Sequence, residues 1–394
     1  MPQISPVFGS THSARSTSAV HRKQGGAVAI VVAIFLPILI TIAALAIDIS
    51  NLMLVKNELQ NAADAAAQAG AQCLYPRPDC YKPRKLESEL INLPRPHWIN
   101  AESIATQAVP NNAVQGTALA DSVVTSGYWN VTGTPNTLQL LPHTPGTNDA
   151  PAVQVTIAKE SGKNAGSVTL YLAGLMGLRN TDLSATAISV ATSPGLVNPG
   201  GLFPFTMAQC MYDAYWDSTK GMPRIFQLGD KDPNNLTQTV GKPWLFHLGW
   251  YDKKTLFKTP DGVLCDAGQW TPLATKGGAD DIKGLVTKSQ LSPKLALNDV
   301  VLIRSGNINS GYKETLACSA IRDKTCEFVT VLVTGRAVPG ALETINAFGC
   351  LHILTADNGS KPYIEVRMSN NCPNPEGGGV GPYYGVANPP RLGL

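Results

Sequence analysis

The chain has 394 residues, 44% of them hydrophobic and only 15% charged, against roughly 25% charged in an ordinary soluble domain. Its 31 Lys and Arg against 28 Asp and Glu leave a formal charge of +3, too little for the basic surface of a general nucleic-acid binder, and no nucleic-acid partner is expected. The excess is local. Arg15, Arg22 and Lys23 stand in the first 23 residues with no acid among them, so the rest of the chain holds 28 bases and 28 acids.

After the basic tail, residues 1–24, comes a segment without charge. Ala27 to Ile47 (AVAIVVAIFLPILITIAALAI) is apolar except for Thr41. As a helix it would extend about 32 Å at ~1.5 Å per residue, which matches a hydrocarbon core of ~30 Å. Residues 25–47 are therefore expected to form a transmembrane helix rather than a buried core helix, with a kink at Pro37. A cleaved signal peptide would carry a shorter apolar region of ~7–15 residues. A type IV prepilin-like leader would be followed by a Glu five residues past its Gly, where this chain has Ile30 or Val31. An uncleaved anchor is expected, with the basic tail on the cytoplasmic side and the remainder outside.

The helical pattern continues beyond the span. Residues 48–73 (DISNLMLVKNELQNAADAAAQAGAQC) are Ala-rich and helix-favouring. Leu45, Ile49, Leu52, Leu59, Ala63 and Ala66 form a packing stripe interrupted only by Lys56. Small residues allow close helix approach, and two partners fit the stripe: the chain's own exported body, or a helix of another subunit. Gly70, then Pro76, Pro78 and Pro83, end the helix.

This block resembles the N-terminal region of TadG-like proteins, associated with Flp (Tad) pilus assembly. Members have a basic tail, a Gly-Ala start, an apolar span with a mid-helix Pro and an Asp at its outer end. A Leu-Gln-x-Ala-Ala-Asp-Ala-Ala-Ala run follows. Asp48 matches the outer Asp; Leu59, Gln60, Ala62, Ala63, Asp64, Ala65, Ala66 and Ala67 match the run. A weaker likeness continues through Gly127-Tyr128-Trp129-Asn130, Pro151 to Ile157, Leu183 to Val190, and Gly201 to Cys210. The resemblance implies a single-pass protein of the bacterial inner membrane with most of the chain in the periplasm, and other Tad/Flp proteins as partners. Some TadG-like proteins carry a von Willebrand-type domain whose metal motif begins Asp-x-Ser-x-Ser; the nearest match, Asp48-Ile-Ser50, breaks at Leu52.

The exported part reads as a first α+β region (74–192), a linker (193–201), a β-rich C-terminal domain (202–370) and a Gly/Pro-rich tail (371–394). The fold class is α+β, with the β-rich region a sandwich or barrel. Helices are expected at Ala101–Val109 and Val168–Leu178. Strands are expected at Ser122–Val131, Ala152–Ala158, Asp182–Ala191, 244–251, 299–305, 327–335, 350–356 and 362–368. Residues 371–394 are expected to be flexible or loosely docked. The eight cysteines include no CxxC pair and no zinc-like spacing, so disulfides in an oxidising compartment are expected. Cys73 and Cys80 bracket one short turn and Cys318 and Cys326 another. Sequential pairing would add Cys210–Cys265 and Cys350–Cys372, while many other connectivities stay open.

Chemical motifs are sparse. There is no GxSxG, HExxH or GxxxxGK[ST], so no catalytic residue and no cofactor are assigned. His12 and His21 lie in the tail. His247 and His352 sit between apolar neighbours and read as structural. Asp230, Asp232 and Asn234 begin like a calcium loop, but Asn235 and Gly241 occupy the positions that need Gly and Glu. A solvated turn is the favoured reading. Tyr212, Tyr215, Trp216, Trp244, Phe246, Trp250, Tyr251 and Trp270 read as core rather than a ligand surface. Sequons at Asn130, Asn235 and Asn358 matter only in a glycosylating host. The function that fits is a non-catalytic, membrane-anchored component of Tad-type pilus assembly or secretion. The alternative is an anchored envelope hydrolase or carbohydrate-binding protein.

Overall fold

The computed structural model describes residues 25–75, 80, 96–146, 148–249, 257–304 and 308–393. The expected basic tail (1–24), Pro76, Pro78 and Pro83, and Trp250 and Tyr251 lie outside the described residues. Two compact units result. The first combines α1 up to Met53 with Thr169–Thr181, and the second holds Leu54–Val168 and Asp182 onward.

Helix α1, Gly25–Gln72, is a single helix of 48 residues. It runs on through Pro37, which lacks the N–H for one rung of the ladder. The Thr41 hydroxyl donates to the Pro37 carbonyl at 2.8 Å one turn later. In the first unit, the Leu170 N–H donates to the Arg179 carbonyl at 2.9 Å, closing a loop around a 3-10 turn at Ala173–Met176. The α-helix expected at Val168–Leu178 is not formed. Gly174 and Gly177 disfavour helix, and Gly177 ends the turn at φ 90°.

The second unit carries two antiparallel-dominated sheets. The first is built from β1 (Val123–Asn130), β2 (Gln139–Leu140), β3 (Asp149–Lys159) and β4 (Leu183–Val190), in the order β2–β1–β3–β4. Residues Arg391–Leu392 pair with the outer edge of β4. Helix α2 (Trp98–Ala108) buries Ala101 and Ala105. These elements match the expected helix and three strands within a few residues, because β-branched alternation and Ala-rich helix composition are local signals.

The second sheet uses β5 (Phe205–Ala208), β6 (Leu245–Leu248), β7 (Gln269–Trp270), β8 (Val300–Leu302), β9 (Phe328–Thr334), β10 (Leu342–Asp357) and β11 (Tyr363–Met368). Their order is β6–β11–β10–β9–β5–β7, with β8 also on β10, and only β5–β9 is parallel. Both sheets have two ends and neither closes on itself among the described residues, so the barrel alternative is not realised. The central β9 (FVTVLVT) is buried at all but its first residue, as a strand covered on both faces must be. By contrast β11 (YIEVRM) alternates partly and fully buried positions. Short helices α3 (Gln209–Tyr215), α4 (Ala279–Val286) and α5 (Asn309–Cys318) accompany this sheet.

Residues 371–393 make regular contacts with the body. Leu196 and Gly378 exchange backbone hydrogen bonds at 3.0 Å each, the Cys350 N–H donates to the Tyr384 carbonyl at 2.8 Å, and the Gly393 N–H donates to the Ile188 carbonyl at 2.8 Å. Tyr383 stacks on Tyr75 with centroids 4.1 Å apart. The glycines have a steric role: a Cβ on Gly377 would fall on the Leu196 carbonyl oxygen.

Candidate anchoring and docking site

Asp48 is the first charged residue after the apolar run, and it is 3% exposed. Its Oδ1 accepts the Tyr171 N–H at 2.8 Å; its Oδ2 accepts those of Leu172 at 3.0 Å and Ala173 at 2.7 Å. These three amides open the 3-10 turn and have no carbonyl partner inside it, so the carboxylate supplies the missing acceptor. The Ala173 hydrogen bond, joined by those of Tyr171 and Leu172, outweighs desolvation and holds the Asp48 carboxyl below its ordinary pKa. Asn51 Nδ2 reaches the Thr169 carbonyl at 3.5 Å.

The predicted packing stripe divides. Leu45 is 57% and Ile49 42% exposed, and Leu52 is half-buried, whereas Leu59, Ala63 and Ala66 are fully buried in the second unit along with Ala62 and Ala67. There Lys56 Nζ donates to the Ser184 carbonyl, and Gln60 Nε2 donates to that of Thr186 at 3.2 Å, both on β4. Glu58 accepts the Gln115 N–H at 2.8 Å. Gly70 packs α1 tightly on its neighbours: a Cβ there would stand 2.8 Å from both the Ala101 carbonyl oxygen and the Ala105 Cβ, and 3.2 Å from Val153. The chain's own body therefore occupies the lower half of the stripe. Sequence reasoning missed Gly70 as a packing contact and the Thr169–Thr181 loop as the partner of Asp48. A lone acid directly after an apolar run was the available signal for the second.

All eight cysteines are paired, as Cys73–Cys80, Cys210–Cys265, Cys318–Cys326 and Cys350–Cys372. Tyr212, Tyr215, Trp216, Trp244, Phe246 and Trp270 are buried in one core cluster, and burial pushes the Tyr212 and Tyr215 hydroxyls far above their ordinary range. His247 stacks on Tyr363 and lies 3.2 Å from Glu365; His352 stacks on Phe328 and lies 3.2 Å from Glu327. Desolvation lowers the His352 pKa against the pull of Glu327.

The oxygens of Asp232 are taken by its own turn. Oδ1 accepts the Asn234 N–H at 2.9 Å, and Oδ2 accepts the Leu236 N–H at 2.9 Å and Gln238 Nε2 at 3.0 Å. Asp230 accepts the Gln227 N–H at 2.8 Å, and Asn234 Nδ2 donates to the Lys258 carbonyl at 2.8 Å. Among the described residues, no group of three or more His, Cys, Asp or Glu is placed to hold a metal ion. An open pocket of about 450 Å³ has Trp244 in its wall and both charge signs on its lining, including Asp217, Lys220, Arg224 and Asp261. Arg224 pairs with Asp261 at 3.4 Å and Lys220 with Asp217 at 3.8 Å.

These features define an α+β chain whose N-terminal helix is long and apolar enough to cross a membrane and whose β-rich body is braced by four disulfides. Residues 25–72 match the family model of Flp pilus-assembly TadE/G-like proteins, and residues 54–189 match that of Tad-like Flp pilus-assembly proteins. The TadG-like resemblance seen at Asp48 and the Ala-rich run is thereby borne out over residues 25–189, which are similar to Flp/Tad pilus-assembly proteins. No curated protein and no solved structure matches the chain.

Proposed function

We propose that the protein is a single-pass inner-membrane component of the Tad pilus machinery that acts through protein contacts and catalyses nothing itself. Residues 27–47 anchor it, the basic tail keeps its N-terminus in the cytoplasm, and the cystine-braced body stands in the periplasm, where other Tad/Flp proteins meet it. The observation that carries this reading is the continuity of α1. The Tad-matching helix begins as an exposed apolar span and ends as a buried Ala face. In cells building Tad pili, the full chain should resist carbonate extraction, be cut by protease added to spheroplasts, and co-purify with Tad assembly proteins after crosslinking. Release by carbonate, protection from the protease, or a crosslinked fraction without Tad proteins would each overturn it.

The open pocket lined by Asp217, Lys220, Arg224 and Asp261 supports a second reading, an anchored envelope protein that binds carbohydrate. Stabilisation of the protein against heating by cell-wall sugars, absent in a variant of the exposed Arg224, Arg224→Ala, would favour that reading over pure scaffolding.

A further inference from the structure

The loop tied to Asp48 has a composition unlike that of a solvated turn. Residues 170–179 read LYLAGLMGLR, with no acid and one base at the end. Tyr171 is 65% and Leu178 64% exposed. Exposed apolar side chains grouped on one short loop mark an interaction surface. Their position identifies the partner. Three hydrogen bonds of 2.7–3.0 Å fasten the loop to Asp48, the residue directly after Ile47, where the apolar run stops. The loop is thus held at the outer end of the span, the depth at which Tyr is enriched and at which an Arg such as Arg179 keeps its charge in water with its stem among lipid. On the same helix Ile49 and Met53 are also exposed, at 42% and 63%, so the apolar surface runs on from the span.

We infer that Thr169–Thr181 is a membrane-interface collar. Its Tyr171 and Leu178 side chains enter the boundary between phospholipid headgroups and acyl chains, and Asp48 fixes its depth. The burial of Asp48 follows from this arrangement: its charge is satisfied entirely by protein amides where water is scarce. A collar of this kind gives the anchor a second point of purchase and limits rotation of the helix about its own axis.

The inference rests on residues 27–47 spanning the bilayer, and the test separates the two. Full-length Leu178→Cys, Leu39→Cys and Ser218→Cys variants are labelled with an environment-sensitive dye and reconstituted into phosphatidylcholine–phosphatidylglycerol vesicles containing lipids doxylated at a shallow or a deep carbon. The Leu178 label should be quenched about twofold more by the shallow probe, the mid-span Leu39 label more by the deep one, and the label on exposed Ser218 by neither. Adding Asp48→Ala should remove most quenching at Leu178 and leave Leu39 unchanged. Quenching at Leu39 without any at Leu178 overturns the collar and leaves the anchor standing. Absence of quenching at both positions overturns the anchor and the collar with it.

Discussion

Gly70→Ala and Gly284→Ala are the same substitution at buried positions inside two helices of the second unit, and the structure gives them opposite signs. In a helix with room for the methyl group, replacing Gly by Ala stabilises by about 1 kcal/mol. At Gly70 the added Cβ meets the Ala101 carbonyl oxygen and the Ala105 Cβ, each at 2.8 Å, well inside the ~3.5–4.0 Å of ordinary carbon contact. Neither neighbour can swing aside, since one is main chain and the other a methyl fixed to α2. Overpacking of this kind costs about 1–3 kcal/mol. With two close contacts the upper end applies, so a net loss of about 2 kcal/mol remains after the propensity gain. At Gly284 the nearest atoms, at 2.9–3.2 Å, all belong to the flexible side chain of Gln290. That side chain is exposed and can turn outward, so a gain of up to about 1 kcal/mol is expected. Urea unfolding of the full chain in detergent, followed by tryptophan fluorescence, reads both as midpoint shifts at constant slope. A Gly70→Ala protein as stable as its parent, or two variants shifting in the same direction, would refute the reasoning.

Two further outcomes are expected. Asp48→Asn should speed hydrogen exchange at the amides of Tyr171, Leu172 and Ala173 while leaving the β9 amides as slow as before. Because the Asp48 pKa is lowered in the folded chain, its contribution is present above the unfolded carboxylate pKa of about 3.9 and disappears as pH falls through the lower folded value. Loss of protection at those amides already at about pH 5, above that window, would count against the assignment. Among the disulfides, Cys210–Cys265 closes a segment of 55 residues and Cys318–Cys326 one of 8. On the loop-entropy model, removing the first pair should cost about 4 kcal/mol and the second about 2.5 kcal/mol. Equal midpoint losses in the two double-alanine variants would show that the chain-entropy argument does not govern this body.

What could be read in advance was whatever a short window of sequence controls. The apolar run of 27–47, the Ala-rich continuation, and the alternation of 152–158 and 183–190 are each local signals, and they form helix, helix and strands as expected. Short helices did not. α3 (QCMYDAY) is seven residues long and aromatic-rich, too brief to show a period of 3.6 and composed of residues that also suit strands. α5 includes Gly311 and lacks an apolar stripe. The segment 168–178 looked helical from its leucines, but its first amides are spent on Asp48, a residue more than 120 positions earlier. The stripe on α1 was legible as a stripe, while its division between exposed and buried halves depends on α2 and β4, which no local pattern announces. Replacing Ala63 or Ala66 by Glu would therefore act first on the core of the body, where both are fully buried.

The pairing of Arg391–Leu392 with β4 bears on the order in which the body can be finished. Arg391 lies opposite Val190 and Leu392 opposite Ser189, a closure over about 200 positions, with the loop entropy that such a distance carries. A chain delivered N-terminus first can assemble β1, β3 and β4 early, with Lys56 and Gln60 on the Ser184 and Thr186 carbonyls, yet the edge at Ser189 and Val190 then lacks its strand partner until residue 392 has arrived. During that interval the edge offers itself to any other extended strand nearby, including one from a second nascent copy. The sheet that emerges first is the one completed last.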